Sequence, residues 1–341
     1  MTDIKKVVLS YHNKKLCGSG KNNQWNLGDW FQTLAVEYLY RKWGIEDYLY
    51  VNKDDASIYN GENVVLPINC YHSFANRTDY QNETFPLSAK IKPIFFSIRV
   101  QDNFFPQYCL KQFSENAPIG CRDEETYNKM KYYGIDSFIS GCVTITFPRR
   151  EEKSSQKKII MIDAPKSVEE FIPSELRRYE FEYMMQIRFI ENSGETYTSG
   201  KSGEEIYELA KEQLRYIADN AKLVVTARLH VASPCIAMGI PVILVRDDDF
   251  SERYSWIDKY IKLYNIEHFN EIDWNPGPID CEKEKSLVES TLKRMILGDT
   301  ADGLIENDRQ LLNDLYLNRN RYDYDCIIRK SLSKFCFFGC S

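Results

Sequence analysis

The pair Arg228 and His230 is the clearest place in the sequence where side chains could act together on a ligand. Both follow the apolar run Leu223–Thr226, which predicts a buried strand, and a short helix is predicted next, with Pro234 in its first turn. Ligands of open parallel sheets bind beyond the carboxyl ends of the strands, so a guanidinium and an imidazole there predict an anion pocket. The simpler alternative is a buried arginine bonded to backbone carbonyls beside a core histidine.

Arg122 stands at an equivalent position earlier in the chain. It lies between the predicted strand Ile119–Cys121 and the predicted helix Glu124–Tyr133, whose N-cap we expect to be Asp123. Its guanidinium could therefore also face an anion. The alternative is a surface ion pair with Asp123 or Glu125, which would contribute almost nothing to stability.

A third loop, Asn26-Leu27-Gly28-Asp29, opens the predicted helix Asp29–Trp43, and Asp29 is expected to cap that helix. The loop has neither the G-x-G-x-x-G of dinucleotide-binding folds nor the G-K-[S/T] of phosphate-binding loops, so no nucleotide is predicted from it. Among the other histidines, His12 and His72 end predicted strands and could line a cleft. Histidines in such loops more often have no role in chemistry.

The elements that must position these residues alternate along the chain. Short β-rich runs such as Phe138–Thr146 are separated by amphipathic helices, of which Glu204–Asn220 is a long example. Strands joined by helices through short loops predict mainly parallel sheets. The charged, non-periodic segment Pro148–Lys158 predicts a linker. We therefore expect two α/β domains, residues 1–150 and residues 151–341, the second with polar helices at its C-terminal end.

Composition narrows the function classes. The 341 residues correspond to roughly two domains at about 150 residues each. Lys and Arg total 44 against 50 Asp and Glu, so the formal net charge of −6 disfavours nucleic acid as a partner. Apolar runs are too short for a membrane span or a secretory signal, so a cytoplasmic protein is expected. Ten cysteines without a C-x-x-C pair predict reduced core thiols and no metal site.

Four motifs in one order resemble the polysaccharide pyruvyl transferase family over about residues 5–265. They are Asn26-Leu27-Gly28-Asp29 followed by Gln32–Ala35, Gly120–Thr126, Gly134-Ile135 leading to Gly141–Thr144, and Thr226–His230 leading to Gly239–Pro241. Arg253 resembles the family's basic position just past the last strand of the second domain. The segments Lys14–Trp25 and Asn69–Asn82 depart from the family's pattern, and we expect them to bear on acceptor choice.

The resemblance implies two Rossmann-like domains with a cleft between them, similar to the two-Rossmann (GT-B-like) glycosyltransferases, the first domain on the acceptor side and the second on the donor side. It implies transfer of the enolpyruvyl group of phosphoenolpyruvate onto a sugar of a surface or capsular polysaccharide precursor, which forms a pyruvate ketal. No cofactor is implied. Arg122 and Arg228 would bind the phosphate and the carboxylate, in either order, and His230 would be the general acid or a phosphate ligand. The other substrate-binding residues expected are Asn26, Gly28, Asp29, His72 and Arg253.

Two rival functions remain at this stage. One is a glycosyltransferase of the same architecture that uses a nucleotide sugar, and the other is a non-catalytic glycan-binding relative, for which 23 Tyr, 18 Phe and 5 Trp could supply stacking surfaces. For the transferase, the acceptor would be a glycan or a lipid-linked oligosaccharide at the inner face of the membrane, with at most peripheral membrane contact. A shared pocket requires Arg122, Arg228 and His230 to converge in the fold.

Overall fold

The computed structural model describes residues 4–11, 24–72, 85–101, 105–153, 156–189, 203–247, 252–298 and 303–317. Side chains are not described at residues 24–25, 71–72, 187–189 and 252, where only the backbone is considered. His12 and most of the segments 14–25 and 69–82 therefore lie outside the described residues.

Strands and helices alternate through the described chain. The strands are β1 (Lys5–Ser10), β2 (Gln24–Asn26), β3 (Leu49–Asn52), β4 (Val64–Ile68), β5 (Tyr71–His72), β6 (Ile91–Phe95), β7 (Arg99–Val100), β8 (Ile119–Cys121), β9 (Ser137–Ile139), β10 (Lys158–Ile162), β11 (Phe181–Met184), β12 (Ile187–Phe189), β13 (Ala221–Thr226), β14 (Val242–Val245) and β15 (Leu263–Tyr264). The α-helices are α1 (Leu27–Lys42), α2 (Gln107–Glu115), α3 (Glu124–Tyr132), α4 (Gly203–Asn220), α5 (Leu229–Met238), α6 (Glu282–Leu297) and α7 (Leu304–Leu317).

Two parallel sheets organise the molecule. The first has the order β3-β1-β4-β6 and the second has the order β11-β10-β13-β14-β15, and every pairing in both is parallel. Their inner strands are almost entirely apolar, since β4 and β14 are buried at every position, as expected when helices cover both faces. The expected α/β class with two Rossmann-like parallel sheets is confirmed.

The two halves of the chain are in direct contact. Strand β12 of the second half pairs antiparallel with β2 of the first, and α1 packs against α4 through Trp30 and Tyr207, whose ring centroids are 5.2 Å apart. The buried Glu37 of α1 accepts a hydrogen bond from Tyr207 at 2.6 Å and one from Tyr50 at 2.8 Å. Carboxylates are rarely buried unless partnered, and here one partner comes from each half.

The helices after the second sheet return to the first half. In α7, the side chain of Asn313 accepts a hydrogen bond from the backbone N–H of Ile139 at 2.9 Å. In α6, Glu289 accepts hydrogen bonds from Lys42 and Trp43 at 2.6 and 3.0 Å. The predicted division into two domains, residues 1–150 and residues 151–341, stays a prediction.

One predicted strand is wrong in its length. The run Phe138–Thr146 is rich in β-branched and aromatic residues, but β9 ends at Ile139. Gly141 then takes a φ of +64°, a left-handed conformation that ends an extended strand, and Val143–Thr146 forms a short 3₁₀-helix.

Candidate active site

Helix α5 carries His230 in its first turn, directly after the central strand β13. Arg228 is the N-cap residue, every residue of the helix is buried, and Gly239 ends it in a left-handed conformation with a φ of +69°. Pro234 lies inside the helix, so its expected position in the first turn is wrong. Because proline has no N–H, the carbonyl of His230 receives no hydrogen bond from the residue four positions on.

His230 contacts Arg122 across the interface between the two halves. Nη1 of Arg122 lies 3.3 Å from Nε2 of His230, and both side chains are almost fully buried. A guanidinium has only donors, so Nε2 must accept and the imidazole proton lies on Nδ1. Burial, together with the charges of Arg122 and Arg253, holds the pKa of His230 well below its ordinary value. The contact with Arg122 and the lowered pKa both favour the neutral form of the imidazole.

Arg122 is bonded on all sides by the first half of the chain. Its Nε donates to the carbonyl of Ser97 at 3.0 Å, and its Nη2 donates to Gln32 Oε1 at 2.5 Å and to the carbonyl of Asn69 at 2.8 Å. The predicted alternative of a surface ion pair is wrong, because the side chain is buried. Its geometry is that of a residue that orients His230.

A second arginine, Arg99, forms ion pairs with Asp123 and Glu125, the two carboxylates that the sequence suggested as partners of Arg122. Its Nη1 and Nη2 lie 2.8 Å from Asp123 and 2.8 Å from Glu125, respectively. Asp123 also accepts the backbone N–H of Thr126 at 2.9 Å, so its predicted N-cap role in α3 is confirmed. This buried ion pair anchors the beginning of α3 beside Arg122.

The N-terminus of α1 meets the N-terminus of α5. Asn26 is the N-cap of α1 and accepts the backbone N–H of Gly28 at 3.0 Å, so the prediction that Asp29 caps the helix is wrong. Asp29 lies in the first turn, where it accepts a hydrogen bond from Nδ2 of Asn26 at 3.3 Å. A Cβ atom on Gly28 would lie 2.8 Å from Cβ of His230, so only glycine permits this close approach.

Arg228 is held beside this contact by the second sheet. Its Nε donates to Asp163 Oδ2 at 2.8 Å, and 37% of its side chain is exposed. The same carboxylate oxygen accepts the backbone N–H of Gln186 at 3.1 Å. Asp163 adopts a φ of +46°, unusual for a non-glycine residue, which places its carboxylate at the end of β10.

Arg253 brings a further cation close to His230 and Arg122. It lies in the 3₁₀-helix Glu252–Tyr254, and its Nε is buried without a hydrogen-bond partner among the described residues. Burial lowers the pKa of Arg253, and the positive charges of Arg99, Arg122 and Arg246 lower it further, against an opposing effect of Tyr254. A guanidinium whose Nε is buried and has no partner in the described part of the chain, among other cations, suits an anionic ligand.

Sequence reasoning missed several residues of this site. Gln32 and Ser97 orient Arg122, and Gln186 lies against Gly28, with Nε2 3.0 Å from the position of a Gly28 Cβ. The signal for Gln32 was a polar residue on the buried face of a helix. The backbone of His72 pairs with Val100 of β7, and the His72 side chain lies outside the described part of the chain.

A cavity of about 440 Å³ opens at the carboxyl ends of β1 and β3. Hydrogen-bonding groups and aromatic rings line it, from Ser10, Asn52, Asp55, Asn60, Tyr50 and Tyr59. Tyr11, the residue after Ser10, is buried close enough to Arg122, Asp29 and Asp54 to interact electrostatically with each of them.

Within the described ranges, no group of three or more His, Cys, Asp or Glu side chains is arranged to hold a metal ion. Over the same ranges, none of the helices combines the length and apolarity that a bilayer-spanning helix needs. The six described cysteines are buried free thiols.

The fold and site define an α/β protein of two parallel sheets with a buried, cation-rich site where its halves meet. The family model of the polysaccharide pyruvyl transferases matches residues 26–249, and the chain belongs to this family. No curated protein sequence matches the chain.

Three solved structures are similar to the chain. A functionally uncharacterised protein from Klebsiella pneumoniae has 14% identity and a TM-score of 0.39, over 74% of this chain and 88% of that one. A UDP-N-acetylglucosamine 2-epimerase has 9% identity and a TM-score of 0.45, over 89% and 98%. A putative UDP-N-acetylglucosamine 2-epimerase from Listeria monocytogenes has 11% identity and a TM-score of 0.42, over 86% and 97%.

Proposed function

We propose that this protein transfers the enolpyruvyl group of phosphoenolpyruvate to a sugar of a surface or capsular polysaccharide precursor and forms a pyruvate ketal. Family membership supports the reaction class. The observation that carries the assignment is the buried contact of His230 with Arg122, beside Arg253 with its unpaired Nε. The neutral imidazole of His230 can take up and release a proton, and the cations around it suit a substrate with two anionic groups.

The two anionic groups of phosphoenolpyruvate would bind the cations that the protein has not fully bonded. Arg253 has an Nε without a partner over the described ranges, and Arg228 is partly exposed and bonded to Asp163. Arg122 would contribute to substrate binding by holding His230 in place, because four of its N–H groups already have partners in the protein. These cations would bind the phosphate and the carboxylate, in either order.

His230 is the proposed general acid, with service as a phosphate ligand as the alternative role. The negative charge of bound phosphoenolpyruvate would offset Arg122 and Arg253 and raise the pKa of His230. Nε2 would then take up the proton as Nη1 of Arg122 turns from it to the anionic substrate. Transfer of that proton to the methylene carbon leaves an oxocarbenium-like centre at C2. Attack by one sugar hydroxyl, departure of phosphate with cleavage of its C2–O bond, and attack by a second hydroxyl complete the ketal. The two hydroxyl protons balance the one given to carbon and the one that leaves on hydrogen phosphate.

The acceptor side is proposed to be the first half of the chain. The cavity at β1 and β3 offers amide, carboxylate and hydroxyl groups beside tyrosine rings, which is the chemistry that recognises sugars. Asp29 would orient or deprotonate the incoming hydroxyl, with Asn26 and Gly28 shaping that end of α1 and His72 lining the cleft. The acceptor would be a glycan or a lipid-linked oligosaccharide, met in the cytoplasm or by peripheral contact at the inner membrane face.

Thermal unfolding with phosphoenolpyruvate, and separately with nucleotide sugars, tests the proposal. Ligand at 100 times its dissociation constant adds about 2.7 kcal/mol, which should raise the midpoint by several degrees. We expect stabilisation by phosphoenolpyruvate that is lost in Arg253→Met and retained in Arg177→Ala, which removes an exposed arginine of the second half. Stabilisation by a nucleotide sugar alone would indicate a glycosyltransferase. Sugar binding without any response to phosphoenolpyruvate would indicate a glycan-binding relative.

A further inference from the structure

Gln186 is tied into the junction of the two halves by its backbone. Its carbonyl accepts the N–H of Leu27, the first residue of α1, at 3.0 Å, and its own N–H donates to Asp163 at 3.1 Å. The side chain is 2% exposed, yet its Nε2 has no hydrogen-bond partner among the described residues. Buried amide donors are nearly always paired, because the desolvated N–H otherwise costs stability. The Gln186 amide is held in place by its backbone and has no partner among the described residues, so we expect its Nε2 to bind a ligand.

The side-chain amide of Gln186 lies beside Gly28, which also contacts His230. A single point, the position of a Cβ on Gly28, lies 2.8 Å from Cβ of His230, 3.0 Å from Nε2 of Gln186 and 3.0 Å from Oδ1 of Asn26. The amide and the imidazole therefore flank the same glycine at the N-terminal end of α1. That helix end carries a partial positive charge, which favours an anion.

Arg228 lies on the other side of the same scaffold. Its Nε and the backbone N–H of Gln186 both donate to Oδ2 of Asp163. One carboxylate thus fixes both the guanidinium of Arg228 and the segment that carries the Gln186 amide. Two donors of different type, one charged and one neutral, are held beside His230 by a common anchor.

We propose that Gln186 is a substrate-binding residue whose Nε2 donates a hydrogen bond to an anionic oxygen of phosphoenolpyruvate. This inference rests on the proposed function. The bond places the phosphate or the carboxylate next to His230, where the three-carbon unit must lie to receive a proton. The amide of Gln186 supplies this donor without adding another positive charge to a site that already lowers the pKa of His230 and Arg253.

Calorimetric titration of phosphoenolpyruvate into the wild type, Gln186→Met and Gln186→Glu tests the inference. Methionine keeps the approximate volume and removes the donor, and we expect binding about 10- to 100-fold weaker, the range for hydrogen bonds to charged groups. Glutamate places like charge against the ligand and should weaken binding further. Titrations with inorganic phosphate and with pyruvate assign the bond, because only the probe that carries the contacted group should lose affinity.

The unfolding midpoint separates ligand binding from a structural role. Removal of an unpaired buried donor should leave the midpoint of Gln186→Met unchanged or raise it. The matched control is Gln112→Met in α2, because the part-buried Gln112 amide is bonded at both ends: its Nε2 donates to the carbonyl of Leu87 at 3.0 Å and its Oε1 accepts the N–H of Leu87 at 2.9 Å. That variant should lose stability and bind phosphoenolpyruvate as the wild type does.

Two outcomes overturn different statements. Wild-type binding of phosphoenolpyruvate with unchanged affinity in both Gln186 variants would refute the role of Gln186 and leave the proposed function intact. Absence of binding by the wild type would refute the proposed function itself.

Discussion

The two halves of the site differ in how completely their polar groups are bonded. In the first half, Arg122 and Arg99 are buried and held by several acceptors each. In the second half, Gln186 and Arg253 each have a buried N–H that no described residue accepts, and the partly exposed Arg228 is bonded to Asp163. Fully bonded groups orient their neighbours, whereas incompletely bonded donors are the ones that can bind a ligand.

His230 joins these two regions. It belongs to the second half by sequence but accepts its hydrogen bond from Arg122 of the first half. Its tautomer is therefore set by one half, and the cations that would bind the substrate come from the other. A division of this kind makes the arrangement of the halves part of the chemistry.

The largest effect is expected at the group on which both halves converge. His230→Gln keeps an acceptor for Arg122 but removes the titratable group, and we expect kcat to fall about 10²- to 10⁴-fold, as for loss of a general acid. If His230 is the acid, the dissociation constant of phosphoenolpyruvate should change little, which calorimetry and single-turnover kinetics measure together. A variant that binds normally and still turns over would remove the acid role, and a large loss of binding would favour the phosphate ligand.

Arg122→Met should affect folding as strongly as activity. It leaves Gln32 and the carbonyls of Ser97 and Asn69 without their shared donor, and each buried polar group left without a partner typically costs about 1–3 kcal/mol. Urea denaturation measures the loss. Arg253→Met is the paired variant, because it removes a cation whose buried Nε has no partner among the residues that the structure describes, and its stability should stay level or rise. Equal destabilisation of the two variants would contradict the distinction between the halves.

The sequence pattern predicted the residues of the site that directly follow strands. Arg122 and His230 were located because each follows the carboxyl end of a strand in a parallel pair, although the two strands belong to different sheets. The sequence could not predict that Gln32 and Ser97 would bond Arg122. Those contacts depend on how α1 and the loop after β6 pack, across separations of 90 and 25 residues.

The wrong predictions share a physical origin in local ambiguity. Asn26 and Asp29 are both good N-cap residues three positions apart, and the buried Leu27 decides for the earlier one by starting the apolar face. The run Phe138–Thr146 has strong β-propensity throughout, but one left-handed glycine at 141 redirects the chain. In each case tertiary packing selects between two local options that the sequence leaves open.

Gly28→Ala tests whether the contact between the halves positions His230. The new Cβ would lie 2.8 Å from Cβ of His230 and 3.0 Å from Nε2 of Gln186, so one of the helices must shift. We expect the free energy of unfolding to fall by about 1–3 kcal/mol, which is typical of overpacking. The fractional loss in kcat should exceed the fractional loss in the free energy of unfolding. Ala35→Gly, on the same helix and buried, is the control, since it should destabilise the helix while its kcat stays near that of the wild type. Wild-type activity in Gly28→Ala would show that the close approach has no catalytic importance.

The smallest expected effect is the dependence of stability on pH. Burial, Arg122 and Arg253 lower the pKa of His230 in the folded state, so between that value and the ordinary value near 6.5 the unfolded chain binds more protons. Stability from the neutral imidazole is therefore complete above about pH 6.5 and is lost as the pH falls below it. The slope for one group is at most about 1.4 kcal/mol per pH unit. Urea denaturation of the wild type and His230→Gln between pH 7.5 and 5 should show the wild type losing more, because the other titrating groups cancel in the difference. Parallel curves would mean that the two regions do not hold His230 neutral, and the contrast between an orienting half and a binding half would lose its electrostatic basis.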